Sequence, residues 1–344
     1  MIAPDDREGG EKADGPQPPM ARGGTTMEFG FGLPTRGPMA TPHNLAALAH
    51  RGEELGFAIL SVSDHIIIPR TIASIYPYSE SGSFGGDPSG ACMEQLTLLS
   101  FLVNVTSTAK LLTSVMVLPH RPPVLTAKML ATIDVLSNAR LIVGCGVGWM
   151  REEFEALSAP AYDERGTVSD EYIRVFKELW TSDNPTFEGQ YCRFANVAFA
   201  PKPLQKPHPP IWIGGESPVA VRRAGRLADA WYPIGSNPRF PVGTPDQFAD
   251  HAASVKRHAQ DSGRDPSTLD FAYSVNWVND QQAQTLPNGQ RRPLTGSPRQ
   301  IADDIKCYEE VGVRHLMVNL QDETQARTLE RIQRFADRIM PLTT

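Results

Sequence analysis

The chain has 344 residues, 40% hydrophobic and 21% charged, an ordinary globular balance whose length suits either about two domains or one α/β barrel. No apolar run nears the roughly 18 residues that span a bilayer, and a formal charge of −6 leaves no basic surplus for displacing counterions from a phosphodiester backbone. Membrane and nucleic-acid partners are thereby excluded, and small molecules are the expected ones. Cys92, Cys145, Cys192 and Cys307 lie far apart, without a C-x-x-C pair and without a signal-like N-terminus, so they read as reduced thiols of a cytoplasmic protein.

Residues 1–26 are rich in Gly, Pro and charge, and hold too little apolar surface to offset the entropy of ordering. A disordered tail is expected there, with Met27 as the natural start. Residues 27–344 then alternate short strand-like runs with stretches of 3.6-residue periodicity, the pattern of parallel βα units. The expected strands are Glu28–Leu33, Ala58–Ser63, Lys110–Leu118, Arg140–Cys145, Pro210–Gly214, Ala230–Ile234, Asp270–Asn276 and His315–Leu320. Eight such units make a single (β/α)8 TIM barrel of the α/β class.

Thr41-Pro42, Ser217-Pro218, Thr244-Pro245 and Ser297-Pro298 each place a hydroxyl at the N-cap and proline at the first helical position; Gly56 and Gly312 supply stops. Between them, Leu125, Met129, Thr132, Ile133 and Leu136 form a stripe that reads as the core face of one helix. Long loop insertions follow strands 2, 4 and 7. Pro69–Ala91 carries Tyr76, Tyr78 and Phe84 and reads as a lid, a pocket wall or a plain exposed insertion. Met150–Pro209 holds a helix with Tyr172, Ile173, Phe176, Leu179 and Trp180 on one face, and a hairpin around Glu188-Gly189. Val278–Gly296 is polar and reads as mobile.

Three stretches can carry chemistry. Asp64-His65 close the second strand, where the barrel rule places catalytic groups; His65 suits proton exchange near neutral pH, and a hydrogen-bonded strand-end histidine is the plain alternative. Gly144, Gly146 and Gly148 alternate at the end of the fourth strand, leaving an edge bare for a ligand or easing a bend. PPIWIGGESP runs strand, Gly214-Gly215 turn and capped helix, which makes an anion site from backbone N–H groups and a helix dipole. Arg222 and Arg226 either reach an acidic cofactor tail or form a solvated face, and Asn276, Trp277 and Asn319 stand at late strand ends, where they can line a substrate pocket. No H-x-H pair or serine elbow supports metal or serine hydrolysis; the expected metal content is none.

SVSDH, LLTSVMVLPHRPPVLTAKMLATID, ARLIVGCGVGW, PPIWIGGESP with RRAGRLADAW, and SPRQIADDIKCYEEVGVRHL stand in the order and spacing of one family. From Glu28 to Pro341 the chain resembles the luciferase-like monooxygenase superfamily, in its branch dependent on the deazaflavin coenzyme F420. The resemblance implies an oxidoreductase that transfers a hydride between the deazaflavin ring and a small organic substrate. It puts Asp64 and His65 beside the ring as catalytic residues and implies a cis-peptide bulge at Ser114-Val115 behind it. Gly146, Val147 and Gly148 on one side, with Gly214, Gly215 and Glu216 on the other, match the cofactor-binding positions. Where related sugar-phosphate dehydrogenases carry a glutamate after the glycine run, this chain has Trp149, which argues against sugar phosphates and for a flat apolar substrate. A homodimer is also implied. The alternatives are a reduced-FMN monooxygenase using oxygen, and a cofactor-binding protein without catalysis.

Overall fold

The computed structural model describes residues 27–85 and 89–343, so the expected tail over residues 1–26 lies outside the described residues. The strands are β1 (Glu28–Gly32), β2 (Ile59–Val62), β3 (Lys110–Thr113), β4 (Met116–Val117), β5 (Leu141–Gly146), β6 (Phe187–Glu188), β7 (Arg193–Phe194), β8 (Ile211–Gly214), β9 (Ala230–Tyr232), β10 (Asp270–Val275) and β11 (His315–Val318). The helices are α1 (Pro42–Glu54), α2 (Gln95–Val105), α3 (Pro123–Leu136), α4 (Arg151–Ala156), α5 (Arg165–Thr181), α6 (Pro218–Leu227), α7 (Pro245–Asp261), α8 (Pro298–Glu310) and α9 (Gln325–Arg338).

Parallel pairing runs β3-β2-β1-β11-β10-β9-β8-β5, and β3 also pairs with β5, which closes the sheet into an eight-stave barrel. The third stave, expected over Lys110–Leu118, breaks into β3 and β4 at Ser114-Val115, where the cis peptide bond that the resemblance implies is present, and β4 pairs on with β5 alone. Inside the barrel, Ile59, Leu112, Ile142, Trp212, Ala230, Ala272 and Met317 form a separate apolar plug, one from each stave except β1. Gly30 makes room for it: a β-carbon there would lie 2.5 Å from Met317 Sδ.

The four hydroxyl-proline starts cap α1, α6, α7 and α8 with side-chain bonds to first-turn amides, and Ser297 closes a full capping box with Gln300. Gly56 and Gly312 have φ of +84° and +106°, as helix stops require. The α5 face is buried as its periodicity implies, and β6 and β7 form the hairpin around Gly189. On α3 the core face is rotated from the expected stripe. Thr126, Ala127, Leu130, Ala131, Ile133 and Asp134 are buried, while Leu125 and Leu136 are exposed. Two alanines let this helix approach the strands closely, and Asp134 is drawn inward to accept from the Leu204 and Gln205 amides.

Candidate active site

All staves point their C-terminal ends at one mouth, where a cavity of about 1290 Å³ opens. Pockets for drug-sized ligands measure roughly 300–1,000 Å³, so this larger space admits a large cofactor together with a small substrate. Its floor is the break in the third stave. Gly146 and Gly214 flank Val115 so closely that β-carbons would stand 2.6 Å from its Cγ2 and 3.2 Å from its Cγ1. The glycines therefore have a packing duty, and that duty seats Val115 on the cavity floor. Ser114 Oγ lies 3.0 Å from the hydroxyl of Tyr232, which rises from β9. Gly144 serves packing alone, because a β-carbon would meet the Thr113 carbonyl at 1.9 Å.

At the end of β2, Asp64 and His65 part company. Asp64 gives both oxygens to Arg121 (2.8 Å each) and accepts the Val117 amide at 2.9 Å; its side chain is fully buried. Arg121 also holds Glu94, the residue that caps α2. Asp64 thus ties the second and third staves together, with no oxygen left over for proton transfer. His65 faces the cavity instead, and its Nδ1 lies 2.8 Å from Glu153 Oε2. Glu153 Oε1 accepts the Ile66 and Ile67 amides at 2.9 and 3.3 Å, which fixes the carboxylate. Burial pushes the Glu153 carboxyl up, but the hydrogen bond from His65, the charges of His65 and His120 and the Ile66 amide outweigh it and leave it below the usual range. An ionised Glu153 accepts a hydrogen bond from Nδ1–H, and in that tautomer the neutral His65 presents Nε2 as an acceptor. This pair can receive a proton from a substrate and give one back.

Glu153 was missed in the sequence because REEF offers two adjacent glutamates and no periodicity says which turns inward. Its neighbour Glu152 turns the other way and accepts the Ala73 and Ser74 amides (2.7 and 3.0 Å), pinning the Pro69–Ala91 loop. From that loop Tyr76 and Phe84 close on Trp149 in edge-on and tilted contacts, with centroids 5.0 and 5.2 Å away, and Phe84 lies 5.1 Å from His65. The loop is therefore a pocket wall.

At the far end, α6 begins with Ser217 Oγ on the Ala220 amide, and the Val219 amide in its first turn has no intrahelical acceptor. Arg165 and Arg223 line this end of the cavity. The first stacks on Tyr162 at 3.9 Å and the second pairs with Asp170. Helix amides beside two guanidinium groups can hold a phosphate. Both arginines escaped the sequence reading, which weighed Arg222 and Arg226; those two are exposed. Gly215, at φ +102°, and Gly148, at +83°, take conformations that favour glycine. Val147, Gly148 and Trp149 line the cavity. Glu216 lines it as well, but its oxygens accept from the Ile234 amide (2.7 Å) and Asn237 Nδ2 (2.8 Å). Burial raises its carboxyl to about 7 against those bonds, so it braces the loop after β9.

Asn276 and Trp277 fall outside the lining. Asn276 turns to Ser236, and Trp277 is packed under Arg292 with its Nε1 donating to the Pro293 carbonyl. Among the described residues no group of three or more His, Cys, Asp or Glu side chains is arranged to hold a metal ion, and no helix is long and apolar enough to cross a membrane.

The model of the luciferase-like monooxygenase family matches residues 27–286. The chain belongs to that family. Among curated members it is 28% identical over 289 residues to an FMNH2-dependent dimethylsulfone monooxygenase of Pseudomonas putida, covering 72% of this chain and 78% of that one. An uncharacterized protein of Mycobacterium tuberculosis is 29% identical over 286 residues, covering 83% and 96%. Family folds superpose closely. An F420-dependent secondary alcohol dehydrogenase matches with a TM-score of 0.71 at 16% identity, covering 93% of this chain and 99% of that one. The long-chain alkane monooxygenase LadA matches with a TM-score of 0.71 at 14% identity, covering 92% and 90%. At such identities the likeness is one of fold.

Proposed function

We propose that this family member is an F420-dependent oxidoreductase that moves a hydride between the deazaflavin and a small uncharged organic substrate. The observation that carries the reading is the His65–Glu153 pair at the cavity wall. A substrate that loses hydride from carbon must also lose a proton from its heteroatom, and the reverse holds for reduction. His65 Nε2, kept in acceptor form by Glu153, is placed to hold that proton. The bound cofactor supplies the two-electron exchange. Val115 and Ser114 would lie under its ring, Val147 and Gly148 along one side and Gly215 along the other, with the α6 amides, Arg165 and Arg223 about its phosphate. Trp149, Tyr76 and Phe84 would wall a flat, apolar substrate and exclude water from His65.

His65→Ala should bind the cofactor within about threefold of wild type and lose roughly 10²–10⁴ of turnover. Full turnover in that variant removes the proton-carrying role. The second reading, a reduced-FMN monooxygenase, is favoured by the sequence likeness to the dimethylsulfone monooxygenases. Rapid oxygen uptake with reduced FMN would select it, since the deazaflavin reacts poorly with oxygen.

A further inference from the structure

His120 stands behind the His65–Glu153 pair. It ends a short 3-10 turn (Leu118–His120), its side chain is 1% accessible, and neither ring nitrogen has a hydrogen-bond partner. A buried imidazole left so is unfavourable, and most buried polar side chains avoid it. Its Nδ1 lies 3.9 Å from Glu153 Oε1, on the opposite oxygen from the one that holds His65. Phe154 meets the ring edge-on at 4.8 Å and blocks another face. The charged and titratable groups around it are Glu153 from α4, Asp64 and His65 from the end of β2, and its own neighbour Arg121. Burial keeps this imidazole neutral below the ordinary histidine range, against the pull of Glu153 and Asp64. One carboxylate therefore lies between two histidines: His65 meets the cavity, and His120 stands behind it uncharged.

We propose that His120 is a positioning residue for His65, closing its Nδ1–H onto Glu153 Oε1 so that the carboxylate is shared and the proton affinity of His65 is set by both imidazoles. A carboxylate that gains a further donor, beyond His65 and the Ile66 and Ile67 amides, pulls less strongly on His65, which then yields its proton more readily. No proton travels through His120. The inference rests on the reading of His65 as the proton carrier, but its physical core is a coupling within the cofactor-free protein.

The test compares His120→Phe, which keeps the ring and removes the donor, with His120→Asn, whose amide stands where Nδ1 does. The His65 imidazole is titrated by NMR in the protein without cofactor. In H120F its midpoint should rise by about half a pH unit or more, and in H120N it should stay within about 0.2 of wild type. With turnover measured, the acid limb of the kcat/KM profile should move with the NMR midpoint, with KM changed by less than about twofold. An unmoved His65 midpoint in H120F, or equal movement in both variants, overturns the proposal. A moved midpoint in a protein that fails to turn over with F420 would leave the coupling standing and sink the F420 reading instead.

Discussion

Arg121 sits between Asp64 and Glu94 with four short contacts of 2.7–3.0 Å, and the Asp64 side chain is entirely out of solvent. Removing the Asp64 charge leaves the buried Arg121 paired only with the partly exposed Glu94, and breaking a buried pair typically costs up to about 3–5 kcal/mol. Asp64→Asn should therefore lose stability of that order in urea unfolding; a loss under about 1 kcal/mol would contradict the structural role. In the sequence Asp64 and His65 read as one catalytic dipeptide. Consecutive residues leaving a strand point to opposite sides, so one was bound to face the cavity and the other the packing. Residue type alone does not say which. Glu153 and His120 were illegible for a related reason: their roles depend on a meeting across 33 residues of chain, with no local pattern to announce it.

Helix starts were the most legible elements, because a capping hydroxyl and a proline act within four residues of each other. The α3 stripe was misread since that helix is apolar nearly all round, and its contact face is chosen by the small Ala127 and Ala131. The Pro69–Ala91 loop has no periodicity to read, yet Glu152 holds it by two backbone amides and Ser74 Oγ accepts from the Arg151 amide. Glu152→Ala should lower hydrogen-exchange protection at Ala73 and Ser74 by about tenfold while amides of β2 keep theirs. Unchanged exchange at those two amides would mean the aromatic contacts alone hold the wall.

The whole barrel has a polar seal at the end opposite the site. Glu28, Lys110, Asp270 and His315 each begin a stave, and His315 bonds Glu28 and Asp270 at 2.9 Å while its ring meets Trp212 in a tilted contact. The bond to His315 chiefly lowers Glu28 to about 2; Asp270 is also lowered by His315, against burial. His315 is raised by its two carboxylates, again against burial. Lowered acids contribute stability above their unfolded values, about 4, and lose it as pH falls through the folded ones. The raised histidine contributes fully below about 6.5 and loses that as pH rises through its folded value. Wild type should therefore exceed His315→Gln in Tm most between about pH 4.5 and 6.5, with the gap narrowing on either side. A gap that widens steadily toward alkaline pH would reverse the assignment.

The group that the cavity holds decides between hydride transfer and oxygen chemistry. Titrating the purified protein with F420 and, separately, with FMN, while following the fluorescence of each, tests it directly. Saturable micromolar or tighter binding of F420, with FMN at least about tenfold weaker, is the expected result. Preference for FMN would contradict the hydride-transfer account and make this family member an oxygen-using monooxygenase.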